Sequence, residues 1–268
     1  LFRSVVIGLA VFAIAVAYLQ MGLGLGQSAA EFAADSDATL KVIGWAFAIW
    51  GVIYLGLFAY AVRQVLPNTG ESDLIHALGW PSAVAFAGIG LWIVAAALDW
   101  EVATIVLIFG SLIALLIPLM MQARRIRALS LTDRNRWLTV WPLGLLAGWL
   151  TVAAPVNLIT VATGNGDLPT ALSPTLWAVL AVVIVGVVAV AVTFSIRTLA
   201  YCLPVVWGLA GVFAAEQSRN GTLAVAAARA GGGQNMPVVR AADAPTVAVA
   251  KNKSGNFIVR VAVLPVRR

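Results

Sequence analysis

Seven stretches of about 20 residues, each almost free of charge, succeed one another along the first 216 residues of this chain. Crossing about 30 Å of hydrocarbon at 1.5 Å per residue takes roughly 20 apolar residues in a helix. The windows fall at about 4–25, 42–62, 78–98, 102–121, 138–162, 174–195 and 198–215. In lipid every backbone N–H and C=O must be paired internally, which leaves helices and closed barrels, and runs of this length are helix length. The expected fold is therefore all-α: a polytopic transmembrane helix bundle of about seven spans. The first window begins like a signal peptide, with Arg3 ahead of an apolar run. Its length, and the lack of a small-x-small cleavage site between Tyr18 and Leu25, read instead as a retained span. Pro174 suits a first helical turn. Pro118, Pro142, Pro155 and Pro204 are tolerable where neighbouring helices re-satisfy the freed carbonyls.

Composition narrows the function classes. The chain is 62% apolar and 10% charged, against about half and about a quarter in soluble domains. An ordinary soluble enzyme, a disordered chain and a nucleic-acid module are excluded. One Cys and one His leave no internal disulfide and no usual zinc set. Residues 1–216 carry nine basic and ten acidic groups, whereas 217–268 carry eight basic and one acidic. The basic pI belongs to the tail, so no nucleic-acid partner is expected. Within 217–268, Gly231 to Gly233 mark a break. Beyond it, Thr246 to Lys251 and Phe257 to Leu264 alternate around Asn252-Lys253-Ser254-Gly255, consistent with disorder or a weak β-hairpin. The tail receives no function.

Lys and Arg in short loops orient the bundle. Arg124, Arg125, Arg127, Arg134 and Arg136 fall between the fourth and fifth windows, which puts that loop in the cytoplasm. Alternation then places the N-terminus inside and the end of span seven outside, with the acidic loop Glu31–Lys41 also outside.

Few residues invite catalysis. His76 falls in a short loop with Glu71 and Asp73 and reads as solvated. Cys202 sits among apolar neighbours, where a thiol is inert. Asp99 and Glu101 mark a span boundary. No ionisable group lies at the centre of a window, which argues against a proton relay. The only lysines are Lys41, Lys251 and Lys253, so a retinal Schiff base is excluded. The chain is read as a non-enzyme without a metal site.

Aromatic and amide groups remain. The second window contains the run WAFAIWGVIY, with Trp45, Phe47, Trp50 and Tyr54. Positions 47, 50 and 54 share one helix face. In the fifth window Trp149, Ala153 and Asn157 are spaced at four and four, again on one face. Asn157 needs partners for its amide, from another helix or from a ligand. Such faces suit either interhelical packing or a large flat apolar ligand with a polar edge.

The run WAFAIWGVIY, the five-Arg loop and WPLGLLAGWLTVAAPVNLI resemble the tryptophan-rich sensory protein family, which includes the mitochondrial translocator protein. The resemblance covers about spans one to five; spans six and seven, with YCLPVVWGLAG, look like the extension of longer bacterial members. Three departures stand out: no paired prolines precede span two, Ile89 stands where the family has an asparagine three before the tryptophan, and Pro142-Leu143 replaces Pro-Tyr. The resemblance implies a helical membrane bundle, often dimeric, in a bacterial cell membrane, binding porphyrins, haem-like tetrapyrroles or sterol-like molecules. It implies a pocket formed by Trp50, Tyr54, Trp92, Trp149, Ala153 and Asn157, joined by Trp45 and Phe47, under a lid at Gln27–Lys41. Asn157 would bond the edge of a porphyrin held without an axial protein ligand. The function expected is a membrane sensor or carrier for such ligands; a small-solute transporter and a structural subunit of a larger complex are the competing classes.

Overall fold

The computed structural model describes residues 2–34, 39–217 and 219–232, together with the backbone of 246–251 and 257–262. Among them are seven helical segments long and apolar enough to cross a membrane. In chain order the helices are α1 (Phe2–Leu23), α2 (Ala29–Ala34), α3 (Ile49–Val65), α4 (Asp73–Ala97), α5 (Glu101–Met121), α6 (Ala123–Ala128), α7 (Trp141–Gly164), α8 (Pro174–Ile196), α9 (Leu199–Glu216) and α10 (Gly221–Ala230). A 3₁₀ turn over Gly44–Ala48 leads into α3. A π turn over Arg136–Val140 leads into α7. It sits just before Pro142, whose missing N–H and ring bulk disturb the preceding turn.

Local chemistry sets the ends of the spans. Ser72 caps α4 by accepting from the Ile75 N–H, and Ser173 caps α8 through Leu176. Pro174 then takes the first turn of α8. Because the Ser72 cap starts α4 at Asp73, that helix begins a turn earlier than the apolar run. His76, expected in a loop, therefore lies in the first turn of α4, with the Phe2 ring edge-on at 5.6 Å. Between α8 and α9, Arg197 takes a left-handed conformation.

Helix α7 is the most enclosed span. It packs on α3, α5, α8 and α9, while α4 packs on α1 and α5. At Gly148 the α9 backbone comes so close that a Cβ would overlap the Tyr201 carbonyl. Beside that crossing the Thr151 and Tyr201 hydroxyls share a hydrogen bond of 2.9 Å. This is the small-residue packing expected where lipid supplies no hydrophobic drive between helices. At the Arg-rich end, buried Arg63 donates to Asn135 Oδ1 at 2.9 and 3.2 Å and to the Thr69 hydroxyl. Helix α10, from the segment read as tail, packs on α8 and α9. Strands β1 (Thr246–Lys251) and β2 (Phe257–Ala262) pair antiparallel, Lys251 opposite Phe257. The rest of the basic tail, with Asn252 to Gly255, lies outside the described residues.

Candidate ligand-binding site

The lid is built first by its own sequence. Ser28 and Glu31 form a reciprocal capping box: the Glu31 N–H donates to Ser28 Oγ at 3.2 Å, and the Ser28 N–H donates to Glu31 Oε2 at 2.7 Å. The two Ser28 donors hold the Glu31 carboxyl below its usual range. This box starts α2, and α2 delivers Phe32, whose ring meets Trp92 edge-on at 5.9 Å. The entry to the lid is pinned by Gln20, which donates to the carbonyls of Leu25 at 2.8 Å and Gln27 at 3.0 Å. Gly26, at φ +64°, passes so close to Ala97 that no side chain fits.

Under the lid the aromatic residues of three helices converge. The 3₁₀ turn before α3 eclipses positions three apart, which aligns Phe47 with Trp50. Trp50 stacks on Tyr54 at 5.3 Å, 29° between planes. Trp149 of α7 meets Phe47 at 5.8 Å and Trp50 at 6.3 Å, both edge-on. Trp92 of α4 points its indole N–H at Asn157 Oδ1, 2.9 Å away. Asn157 Nδ2 donates to Thr104 Oγ1 of α5 at 3.0 Å. The amide thus bridges α4, α7 and α5, so its principal bonds go to helices and not to a ligand edge. Of the two kinds of partner the sequence left open for Asn157, another helix or a ligand, these bonds are the helix kind.

Two chambers result. An inner one of about 40 Å³ lies among Phe32, Phe47, Trp92, Trp149, Ala153 and Asn157. An outer one of about 440 Å³ lies between α1 and α3 beneath the lid, lined by Tyr18, Gln20, Gln27, Trp50 and Tyr54 among others. Ala29, Phe47, Trp50 and Trp92 line both, and among the described residues no charged side chain lines either. Pockets for drug-sized ligands run from about 300 to 1,000 Å³. The outer chamber is in that range, and the inner one has room only for a few water-sized bodies. Of the two, only the outer chamber has the volume of a drug-sized ligand site.

Seven of the eight expected residues line these chambers: Phe47, Trp50, Tyr54, Trp92, Trp149, Ala153 and Asn157. Trp45 does not. Two residues from Phe47, it faces another way, is 46% exposed, and sets its ring edge-on to Trp207 of α9 at 4.8 Å. Phe32, Thr104, Thr160 and Gln20 were not anticipated. The capping box Ser28-x-x-Glu31 was a legible signal for the helix carrying Phe32. Thr160, three residues after Asn157 and on the same face, lines the inner chamber with its buried hydroxyl unpartnered.

Among the described residues no cluster of three His, Cys, Asp or Glu side chains is placed to hold a metal ion. His76 is 16 residues from Trp92 on α4, roughly 24 Å along the helix axis, and is not available to an iron in either chamber. A family model described as TSPO-like protein matches residues 3–233 of the chain. Neither a curated protein nor a solved structure matches it.

Proposed function

The chain belongs to the TSPO-like protein family, an integral membrane protein by its seven apolar helices, and on that premise we propose that it is a sensor or carrier for flat, largely apolar ligands of the tetrapyrrole class. The observation that carries the reading is the inward convergence of Phe47, Trp50, Tyr54, Trp92 and Trp149 under the lid. A structural subunit has no need of rings turned inward onto chambers. A transporter of small polar solutes needs a polar path, and the walls here are apolar with a few amides and hydroxyls at the outer end.

In this reading the macrocycle lies in the outer chamber against the Trp50–Tyr54 stack, where aromatic faces favour offset stacking. With no charged side chain on the walls among the described residues, any carboxylates of the ligand stay at the mouth, near Gln20, Gln27 and Ser28. The protein contributes shape and stacking and performs no bond-breaking step. In this reading the Arg-rich end of the bundle is the cytoplasmic one by the positive-inside rule, which would leave the lid facing away from the cytoplasm of a bacterial cell.

Titration of the purified protein in detergent with protoporphyrin IX tests this, read by tryptophan quenching and by the Soret band. Saturable micromolar binding, weakened at least several-fold by Trp50→Ala or Tyr54→Ala, is the expected result. Unsaturable quenching, the same in wild type and both variants, would mean partitioning into the micelle and would sink the proposal.

A further inference from the structure

The site just described leaves α9 without a role, yet α9 touches the segment that carries the aromatic wall. Four hydrogen bonds tie residues 39–46 to α8 and α9. The Thr39 hydroxyl donates to the Pro174 carbonyl at 3.0 Å. The Lys41 N–H donates to Glu216 Oε1 at 2.9 Å. The Ile43 N–H donates to the Gly211 carbonyl at 3.3 Å. Trp207 Nε1 donates to the Ala46 carbonyl at 2.8 Å. Glu216, 1% exposed, is a buried carboxylate whose other partner is Arg219. Gly211 is the contact point: a Cβ there would stand 2.8 Å from the Ala46 Cβ and 3.0 Å from Val42 Cγ1.

The geometry of Ala46 gives these bonds a consequence. Its carbonyl accepts from the Ile49 N–H, as a 3₁₀ turn requires. The Trp207 indole adds a second donor to the same oxygen. That turn is what brings Phe47 into line with Trp50. One residue on, Phe47 meets Trp149; four on, Trp50 stacks on Tyr54. Phe47 and Trp50 are also part of the wall between the two chambers.

We infer that α9 is a clamp on this segment, with Trp207 and Glu216 as positioning residues that hold Phe47 and Trp50 in the wall of the binding site. The inference rests on the proposed site for its consequence in binding, and on the hydrogen bonds alone for the clamp itself. Preorganising a wall lowers the cost of binding against it. Releasing one hydrogen bond's worth of positioning corresponds to about a three- to tenfold weaker Kd.

The test uses the full chain with Cys202→Ser and a reporter thiol from Phe47→Cys. Maleimide labelling of that thiol, without ligand, is compared with and without Trp207→Phe, which removes the N–H and keeps a smaller aromatic ring against Trp45; Trp207→Leu, which also lacks the N–H, should give the same acceleration if the hydrogen bond and not ring size is what holds the segment. Labelling at least threefold faster in the Trp207→Phe protein is expected; an unchanged rate would overturn the clamp. Glu216→Ala should act in the same direction and Glu216→Gln, which keeps an oxygen for the Lys41 N–H, should stay near wild type.

In the parent protein with Phe47 and Cys202 intact, protoporphyrin IX titration then reads the positioning role. Trp207→Phe should weaken Kd about three- to tenfold at an unchanged melting temperature, and add nothing further in a Trp50→Ala background. Faster labelling with unchanged Kd would overturn positioning, as would full additivity with Trp50→Ala. If wild type itself binds unsaturably, the ligand reading fails, and the labelling rates still decide the clamp.

Discussion

Asn157→Ala is the perturbation whose outcome the structure constrains most tightly. Its amide accepts from the Trp92 indole at 2.9 Å and donates to Thr104 Oγ1 at 3.0 Å. Truncation leaves the two partners in different positions. Thr104 keeps its own donation to the Glu101 carbonyl at 2.6 Å, so it loses only an incoming donor. The Trp92 N–H is left buried with no acceptor, which costs about 1–3 kcal/mol in water-soluble proteins. Interhelical hydrogen bonds in membranes average about 0.6 and reach about 1.7 kcal/mol, so the lower part of the first range applies. The sum is about 1–2.5 kcal/mol for Asn157→Ala, of which about 1 kcal/mol belongs to Trp92. In a Trp92→Phe background no orphaned N–H remains, and the cost should fall by that amount. Reversible unfolding in mixed micelles with increasing SDS, followed by circular dichroism, measures all four corners of the cycle. Additive losses within about 0.3 kcal/mol would refute the bridge. Porphyrin affinity measured on the same four proteins adds a second discrimination. If the amide acts by holding Trp92, then Asn157→Ala weakens binding in the wild-type background and not in Trp92→Phe.

Other perturbations follow from neighbouring contacts. Gly148→Ala should destabilise the bundle by about 1–3 kcal/mol by driving α9 off α7, whereas Gly8→Ala, with open space at its Cβ, should be neutral in the same unfolding assay. Ala153→Leu fills the inner chamber and should leave protoporphyrin affinity within about twofold if the macrocycle occupies only the outer one, while Gly51→Leu, on the outer wall, should abolish saturable quenching. Glu31, whose carboxyl is held low by its Ser28 donors, stabilises the lid above its ordinary pKa of 4.5 and loses that contribution as pH falls through its depressed value. Thiol labelling at Phe32→Cys should therefore accelerate in acid, relative to a free-thiol control at each pH, and Glu31→Gln, which cannot titrate, should remove the pH dependence.

Periodicity and length carried most of the fold. Each apolar run became a helix because a membrane leaves no other way to pair the backbone. The ends were less legible wherever a polar residue reached outward from the run. Ser72 caps α4 a full turn before Leu78, which moved His76 from a loop onto a helix. Helix α10 also escaped notice: its run GTLAVAAARA is too short for a span, and its Asn220 cap is a signal only once a helix is suspected. In the lid the signal was present and local. Ser28-x-x-Glu31 is a capping box in sequence as in structure.

The site was legible as residue types on faces and not as partnerships between faces. Trp149, Ala153 and Asn157 share a side of α7 by spacing alone. Which neighbour meets that side depends on the rotation of α4 and α5, and that is set by packing at distant points. Trp45 shows the same limit from the other direction: the 3₁₀ turn, fixed from outside by Trp207, decides that Phe47 and not Trp45 enters the wall. Ile89 then acquires a meaning beyond a departure from the family pattern. It lines the inner chamber beside Trp92, where an asparagine would offer four hydrogen-bonding sites. Asn157 spends its amide on Trp92 and Thr104, and the buried Thr160 hydroxyl in that lining has no partner. The surface around Ile89 is apolar apart from the Asn157 amide, the Thr160 hydroxyl and the indole edges. With the macrocycle in the outer chamber, Ile89→Asn, like Ala153→Leu, should leave protoporphyrin affinity within about twofold; a larger change in the same quenching titration would mean that part of the ligand passes the aromatic wall and would refute that placement.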